Sequence, residues 1–583
     1  MADSAAKRAE QPDPPEPPGP AVPPFVRDES TEPVPPASTM TDSGDTGQVL
    51  RSSAIMAVGT VVSRLTGFLR VVVIAAALGS GPLSNAYNTA NNAPNSIYEL
   101  FLGGILSAVL VPLFVRASKR GRYEGDLYAQ RLLTLVVLVL LGLTVLSVFG
   151  APLIMSAIAN RVGGAQREVS IAFLRYFLPQ ILFLGAGAVM MAILQSRRRF
   201  AAPMWAPVLN NLAVIGTGVA FIYVVSGQPR PSTITPDETL LLGLGTTAGI
   251  VIQTVALVPA LLRAGFRPRP RLGFRQLGLG AIGRMGTWTL VFVATNLIQL
   301  FFVTNVGGAV DHSLAGTGVD TNYGYTPYQN AFTVFLLPHA IVAVSVITAL
   351  LPRMSTHAAE RQLGAVRDDL SRGIRLAAVL IVPAAAAMVA LGRPIGMTIF
   401  NHGFYSAENA SYTGLVIAAF ALGLVPFSVF QLLLRVFYSM QDTRTPALIS
   451  IVGTALTIGI GVGCYLLLPY QAVMVCLALA YGVGYVLRAI LAAAVLRRRL
   501  GGVDGRAIVS ALVRMVAAAV PAGVAGWLVG QGAMMVLGDD WNTALIAVVV
   551  GGLVVLAIFL VLARLLRVRE VRTLVDNFRQ RRK

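Results

Sequence analysis

SRLTGFLRVVVIAAALGSGPLSNAYNTANNAPNSIYELFLGGILSAVLVP, residues 63–112, decides how the rest of the chain is read. Two long apolar runs flank a Gly-Ser-Gly-Pro turn at 79–82, the pattern of a helical hairpin. The first run carries Arg64 and Arg70 among residues otherwise suited to lipid. The second carries Asn85, Asn88, Asn92, Asn95 and Glu99, three or four apart, so they share one helical face. Ionisable and amide groups are costly at membrane depth and by default line a cavity or pair with one another. This polar face is the candidate substrate pathway.

The composition extends that reading to the whole chain. Of 583 residues, 55% are hydrophobic and 13% charged, with a mean hydropathy of +0.70. Soluble domains average roughly a quarter charged residues. Apolar runs of about 20 residues recur to the C-terminus, which predicts membrane-spanning helices and not an alternating-strand barrel. The net charge of +19 does not indicate nucleic acid, because Arg and Lys fall in short clusters between apolar runs. Cys464 and Cys476 have no metal-ligand spacing. They flank the short turn at 468–471 at similar depth, where a disulfide is geometrically feasible; buried free thiols are the expectation.

Residues 1–48 are rich in Pro, Ser, Thr and acids and read as a disordered cytoplasmic tail without a signal-peptide pattern. Fourteen spans follow, near 52–78, 86–115, 130–157, 168–194, 203–225, 239–262, 280–306, 328–351, 373–400, 411–438, 446–468, 471–496, 507–530 and 542–566. Basic clusters follow spans two (Arg116, Lys119, Arg120, Arg122), four (Arg197, Arg198, Arg199), six (Arg263 to Arg275), eight (Arg353 to Arg372) and twelve (Arg497, Arg498, Arg499, Arg506). The intervening loops at 307–327 and 530–542 hold Asp311, Asp320, Asp539 and Asp540 instead. Positive-inside then puts both termini in the cytoplasm.

A repeat is visible as well. Leu110-Val111-Pro112 and Leu350-Leu351-Pro352 each close a span before a basic loop. Leu178-Pro179 and Val425-Pro426 each open a segment leading to Ser196…Pro203 and Ser439…Pro446. The expected architecture is an all-α polytopic membrane protein. It has a six-helix lobe over 49–275, a second over 276–500 in parallel repeat, two appended helices over 501–566 and a basic tail over 567–583. Parallel repeats put a transport site between the lobes.

SRLTGFLR at 63–70, the small-residue turn at 79–81, Ala93-Pro94-Asn95 and the Leu-Val-Pro at 110–112 together resemble the MurJ/MviN family of the MOP superfamily. Leu336-Leu337-Pro338 and the stretch from Arg435 to Pro446 continue the likeness, which covers roughly 50–566. The resemblance implies a flippase that moves lipid II, an undecaprenyl-pyrophosphate-linked glycopeptide, from the inner to the outer leaflet by alternating access. It also implies a bacterial plasma-membrane location, a role in cell-wall synthesis and cavity arginines on the pyrophosphate. Two such positions carry over, Arg64 and Arg70. The sequence departs from the pattern at Asn85, where relatives often have an acid, and at Tyr98-Glu99 and Thr333, where they have arginines.

A guanidinium suits a diphosphate through bidentate, charge-assisted hydrogen bonds, which favours a binding role for Arg64 and Arg70 over snorkelling. The amide face of span two could be interhelical glue, but five polar positions exceed what glue needs. Glu99 has a plainer reading as a partner of Arg70 or Arg64. Asn296, Gln299 and Asn305 in span seven, with Gln329 and Asn330, are candidate lining of the second lobe. His339 and Arg435 read as packed structural groups, and Gly459, Gly461 and Gly463 as close helix packing. The chain has no phosphate loop, nucleophile elbow or metal cluster, so no enzyme activity, cofactor or metal is expected. Two alternatives stay open: another MOP-type exporter, of lipid-linked polysaccharide or drug, and a non-transporting scaffold that meets cell-wall or division proteins through its Pro-rich tail.

Overall fold

The computed structural model describes residues 43–100, 122–160, 162–197, 199–274, 282–314 and 322–571, and among these there is no strand. The expected tail lies outside the described residues up to residue 42, and residues 43–48 form the first turns of a helix. Pro112, the basic residues 116–120, Arg198, Arg275, Asp320 and the basic tail from residue 572 also lie outside them.

The first half comprises α1 (Ser43–Leu78), α2 (Pro82–Tyr98), α3 (Arg122–Phe149), α4 (Ala151–Ile158), α5 (Gly164–Phe177), α6 (Gln180–Ser196), α7 (Ala201–Val224), α8 (Pro236–Val255) and α9 (Leu257–Arg263). The second comprises α10 (Ile282–Leu314), α11 (Tyr325–Ala359), α12 (Leu363–Ala390), α13 (Gly392–Phe400), α14 (Ala407–Ala421), α15 (Leu424–Ser439), α16 (Arg444–Leu467) and α17 (Tyr470–Arg499). Two further helices, α18 (Gly505–Leu537) and α19 (Trp541–Leu565), pack along each other and against α12.

Among the described residues eleven helical segments are long and apolar enough to cross a membrane, or twelve if the pair α14–α15, bent by 49°, is one span. Fourteen were expected. The two runs not counted, near 86–115 and 328–351, both include residues that are not fully described.

The repeat emerges in the helix boundaries. α7 spans 201–224 and α16 spans 444–467, so both ends step by 243 residues. The Leu178-Pro179 break between α5 and α6 answers the Leu422-Gly423 break between α14 and α15. Each half builds its own apolar core, one drawn from residues 74–266 and the other mainly from 303–547. In the first, the Tyr87 ring meets Phe173 and Phe177 edge-on at 5.6 and 5.3 Å, and its hydroxyl bonds Thr246 Oγ1 at 2.7 Å. That single side chain ties α2 to α5 and α8. In the second, Phe335, Phe420, Phe427 and Tyr481 interlock across α11, α14, α15 and α17.

Three sequence expectations change here. Cys464 and Cys476 are not free thiols: the α16–α17 hairpin brings their Cα atoms to 6.3 Å and the sulfurs are bonded. Gln299 does not line a cavity. It is buried between α10, α16 and α17, where its Oε1 accepts from Arg488 Nη2 at 2.9 Å and from Thr454 Oγ1 at 3.3 Å. Arg488, only 1% exposed, also donates to Thr454 Oγ1 at 2.6 Å and lies over the Tyr485 ring at 4.4 Å. Of the three glycines read as packing sites, Gly461 is pressed against Phe302 and Leu477, while Gly459 and Gly463 face open space.

A two-arginine cavity between the halves

A cavity of about 610 Å³ lies between α1, α2 and α7 on one side and α11 on the other. Its position follows from the hairpin. α1 presents Ser63, Arg64, Gly67 and Arg70, and α2 presents Ser84, Asn88, Asn91 and Asn92. Opposite them α11 contributes Gln329, Asn330 and Thr333, with Phe332, Leu336 and Leu337 as apolar wall. Asn211 of α7 donates to the Ser63 carbonyl at 3.2 Å and to Thr66 Oγ1 at 3.1 Å, which fixes the α1 segment that carries both arginines. Asn92 Nδ2 donates to the Tyr325 hydroxyl at 2.9 Å, and that hydroxyl donates to Gln329 Oε1 at 2.9 Å, which links α2 to α11.

Arg64 is exposed to the cavity and Arg70 half-buried. Among the described residues neither has a carboxylate within ion-pair distance, and none of the lining residues is acidic. Two guanidiniums over a wall of carboxamides and hydroxyls form a site for an anion with many hydrogen-bonding groups.

The structure divides the nine residues singled out in the sequence. Arg64, Arg70, Asn88 and Asn92 share the cavity. Asn85 does not. Its side chain, beside the α1–α2 turn, is taken up instead by Asp311 of α10 and Thr326 of α11. Asn95 and Glu99 are exposed further along α2 and bond each other at 3.0 Å, so Glu99 is not seen paired with either cavity arginine. Asn296 is half-buried and absent from the lining, and Gln299 belongs to Arg488. Asn305 holds the backbone of Asn160 at 2.9 Å and the Ile158 carbonyl at 2.6 Å. His339 bonds Ser428 Oγ at 3.0 Å and packs on Phe427. The reading missed Asn91 and Asn211. Each lies beside another asparagine, which is a signal, but Asn91 falls outside the three-four spacing of the other α2 amides and Asn211 stands in an otherwise apolar stretch.

The profile of the family described as lipid II flippase MurJ matches residues 74–563. A probable lipid II flippase MurJ of Synechocystis sp. is 29% identical over 499 residues, covering 84% of this chain and 89% of the relative. A lipid II flippase MurJ of Burkholderia cenocepacia is 25% identical, covering 67% and 73%. Among solved structures, a lipid II flippase MurJ in an inward closed conformation aligns with TM-score 0.68 at 18% identity, over 88% of this chain and 99% of that one. An inward-facing multidrug resistance MATE family transporter of the MOP superfamily aligns with TM-score 0.59 at 16% identity, over 76% and 95%. These structural likenesses are likenesses of fold, whereas the profile spans most of the chain. The chain belongs to the lipid II flippase MurJ family.

Proposed function

We propose that this chain moves lipid II from the inner to the outer leaflet of a bacterial plasma membrane by alternating access between its two halves, 49–275 and 276–500. The observation that carries the reading is the cavity between those halves, with two arginines and no acidic lining residue among those described. Arg64 and Arg70 take the pyrophosphate; the carboxamides of α2, α7 and α11 face the glycopeptide. A cationic drug asks for a carboxylate in such a cavity, and the acid nearest in sequence, Glu99, is outside the lining.

Both termini are cytoplasmic in this reading. Clusters of described arginines lie at the ends of α6, α9, α11 and α17, and the Cys464–Cys476 bond lies at the opposite end of α17, where an oxidising exterior suits it. An inside-negative potential favours outward passage of an anion by about 2.3 kcal/mol per charge per 100 mV.

Depletion and complementation with a lipid II accessibility readout test this. Depletion should strand lipid II in the inner leaflet, and Arg64→Ala and Arg70→Ala should fail to restore its export. Full export with both variants refutes the site assignment. Intact translocation with disturbed wall assembly would instead favour a scaffold acting through the N-terminal tail.

A further inference from the structure

Beside the α1–α2 turn a set of hydrogen bonds runs between the halves, and they share a design. Asn85 is buried, at 3% exposure, yet its described side-chain partners all belong to the other half. Its Oδ1 accepts from the Thr326 backbone N–H at 2.7 Å and from the Thr326 hydroxyl, and its Nδ2 donates to Asp311 Oδ2. Thr326 is the second residue of α11, whose N-cap position, Gly324, supplies no side-chain cap. The free N–H groups of a helix start need an acceptor, so Asn85 caps α11 from across the interface. Asp311, at the far end of α10, lies against Gly324, where a side chain would have no room.

Around this centre Asn322 donates its backbone N–H to Asn409 Oδ1 at 2.7 Å and its side chain to the Ser80 carbonyl of the α1–α2 turn. Phe404 N–H donates to the Ala76 carbonyl at 2.8 Å. Gly79 and Gly403 both have positive φ, 68° and 58°, and neither has room for a side chain where these backbones touch.

We infer that Asn85, Asp311 and Asn322 form the outer gate of the transport cycle, and that it is the pairing of one carboxamide with one carboxylate that holds the gate shut. These are positioning residues: they act on which side the cavity opens and are absent from its lining. The polar make-up suits a seam that must part and re-form. On opening, each group exchanges its partner for water, so the net cost per bond is small, whereas an apolar seam would expose oil to water at every turn of the cycle. The inference rests on alternating access but not on the identity of the substrate.

The test is a charge swap read by accessibility. A cavity probe, Asn88→Cys, is placed in the full chain, in cells, and labelled with a membrane-impermeant maleimide from outside. Asn85→Asp removes the amide that donates to Asp311 and sets two acidic groups face to face, and should raise the labelling rate by about tenfold or more. Adding Asp311→Asn restores one carboxamide against one carboxylate and should return the rate to that of the probe alone. In inverted vesicles the same Asn85→Asp change should lower labelling, whereas a misfolded chain would label faster from both sides. The inference is overturned if Asn85→Asp leaves outside labelling unchanged, if labelling rises from both sides, or if the double change fails to restore it. Labelling needs no lipid II, so a failed lipid II export assay leaves this result standing and a failed labelling assay leaves the export result standing.

Discussion

Gln299→Leu separates two readings of one residue. As a cavity residue, Gln299 would be dispensable for stability and would matter to substrate. In the structure it is the acceptor for Arg488, a guanidinium with 1% exposure whose described hydrogen-bond partners are Gln299 and Thr454. A hydrogen bond to a charged group contributes about 1.5–3 kcal/mol, and a partner left behind in a buried place adds its own desolvation penalty. The Arg488 Nε already lacks a partner, so the guanidinium has little left to fall back on. We expect Gln299→Leu to destabilise the fold by about 2–4 kcal/mol. Thermal unfolding of the purified protein in detergent measures this, with lipid II affinity determined on the same sample and expected to hold. Gln299→Leu combined with Arg488→Met removes donor and acceptor together and should recover at least half of the loss, because replacing a buried polar pair by apolar groups is often near neutral. Undiminished stability with weakened lipid II binding would refute the structural role and return Gln299 to the cavity.

Further outcomes follow from the same geometry. Arg70→Lys keeps the charge but loses the planar fork, and should weaken lipid II binding about tenfold while leaving the unfolding temperature in place. Glu99→Gln should complement depletion fully; a defect would put that carboxylate in the pathway. Cys464→Ser or Cys476→Ser opens a link closed across a sequence separation of 12 residues and should cost about 3 kcal/mol, with reductant reproducing the shift on the parent protein. Asp442, in the α15–α16 turn, is pushed up by burial, but the Thr445 hydroxyl and N–H and Arg499 outweigh this and hold its carboxyl below the usual range. Its stabilising effect is therefore complete above the ordinary carboxylate pKa of about 3.9 and lost as pH falls through the depressed value, so the stability gap between parent and Asp442→Asn should stay flat from pH 7 to 5 and close only below about pH 4.

The class of fold was legible because hydropathy and charge act over whole runs: twenty apolar residues can hardly do anything but span, and arginine clusters mark the ends of α6, α9, α11 and α17. The repeat was legible for a similar reason, since Leu178-Pro179 and the Val425-Pro426 stretch fall at or beside chain breaks. The cavity was half legible. A helical wheel puts Asn85, Asn88 and Asn92 on one face, but a wheel carries no depth: Asn92 points almost the same way as Asn85, yet Asn85, nearer the α1–α2 turn, is taken up by Thr326 and Asp311 while Asn88 and Asn92 keep the cavity. Gln299 misled for another reason. Its partner Arg488 lies 189 residues away, and nothing near either residue announces the pair. For the cysteine pair the short turn at 468–471 made a bond feasible in the sequence, and the general habit of buried thiols to stay free pointed the wrong way; the two-residue link between α16 and α17 brings the sulfurs together.

The missing acid in the cavity lining has an electrical consequence. In a carrier working as proposed, the empty cavity bears two fixed positive charges, while a bound diphosphate of about two negative charges leaves it near neutral. The loaded protein then crosses between its states almost blind to the membrane field, and the vacant protein does not. An interior held negative draws the vacant cavity back toward the cytoplasm. The total electrical work per cycle is set by the charge on the cargo; the two guanidiniums of α1 decide that the return stroke, rather than the delivery stroke, feels it.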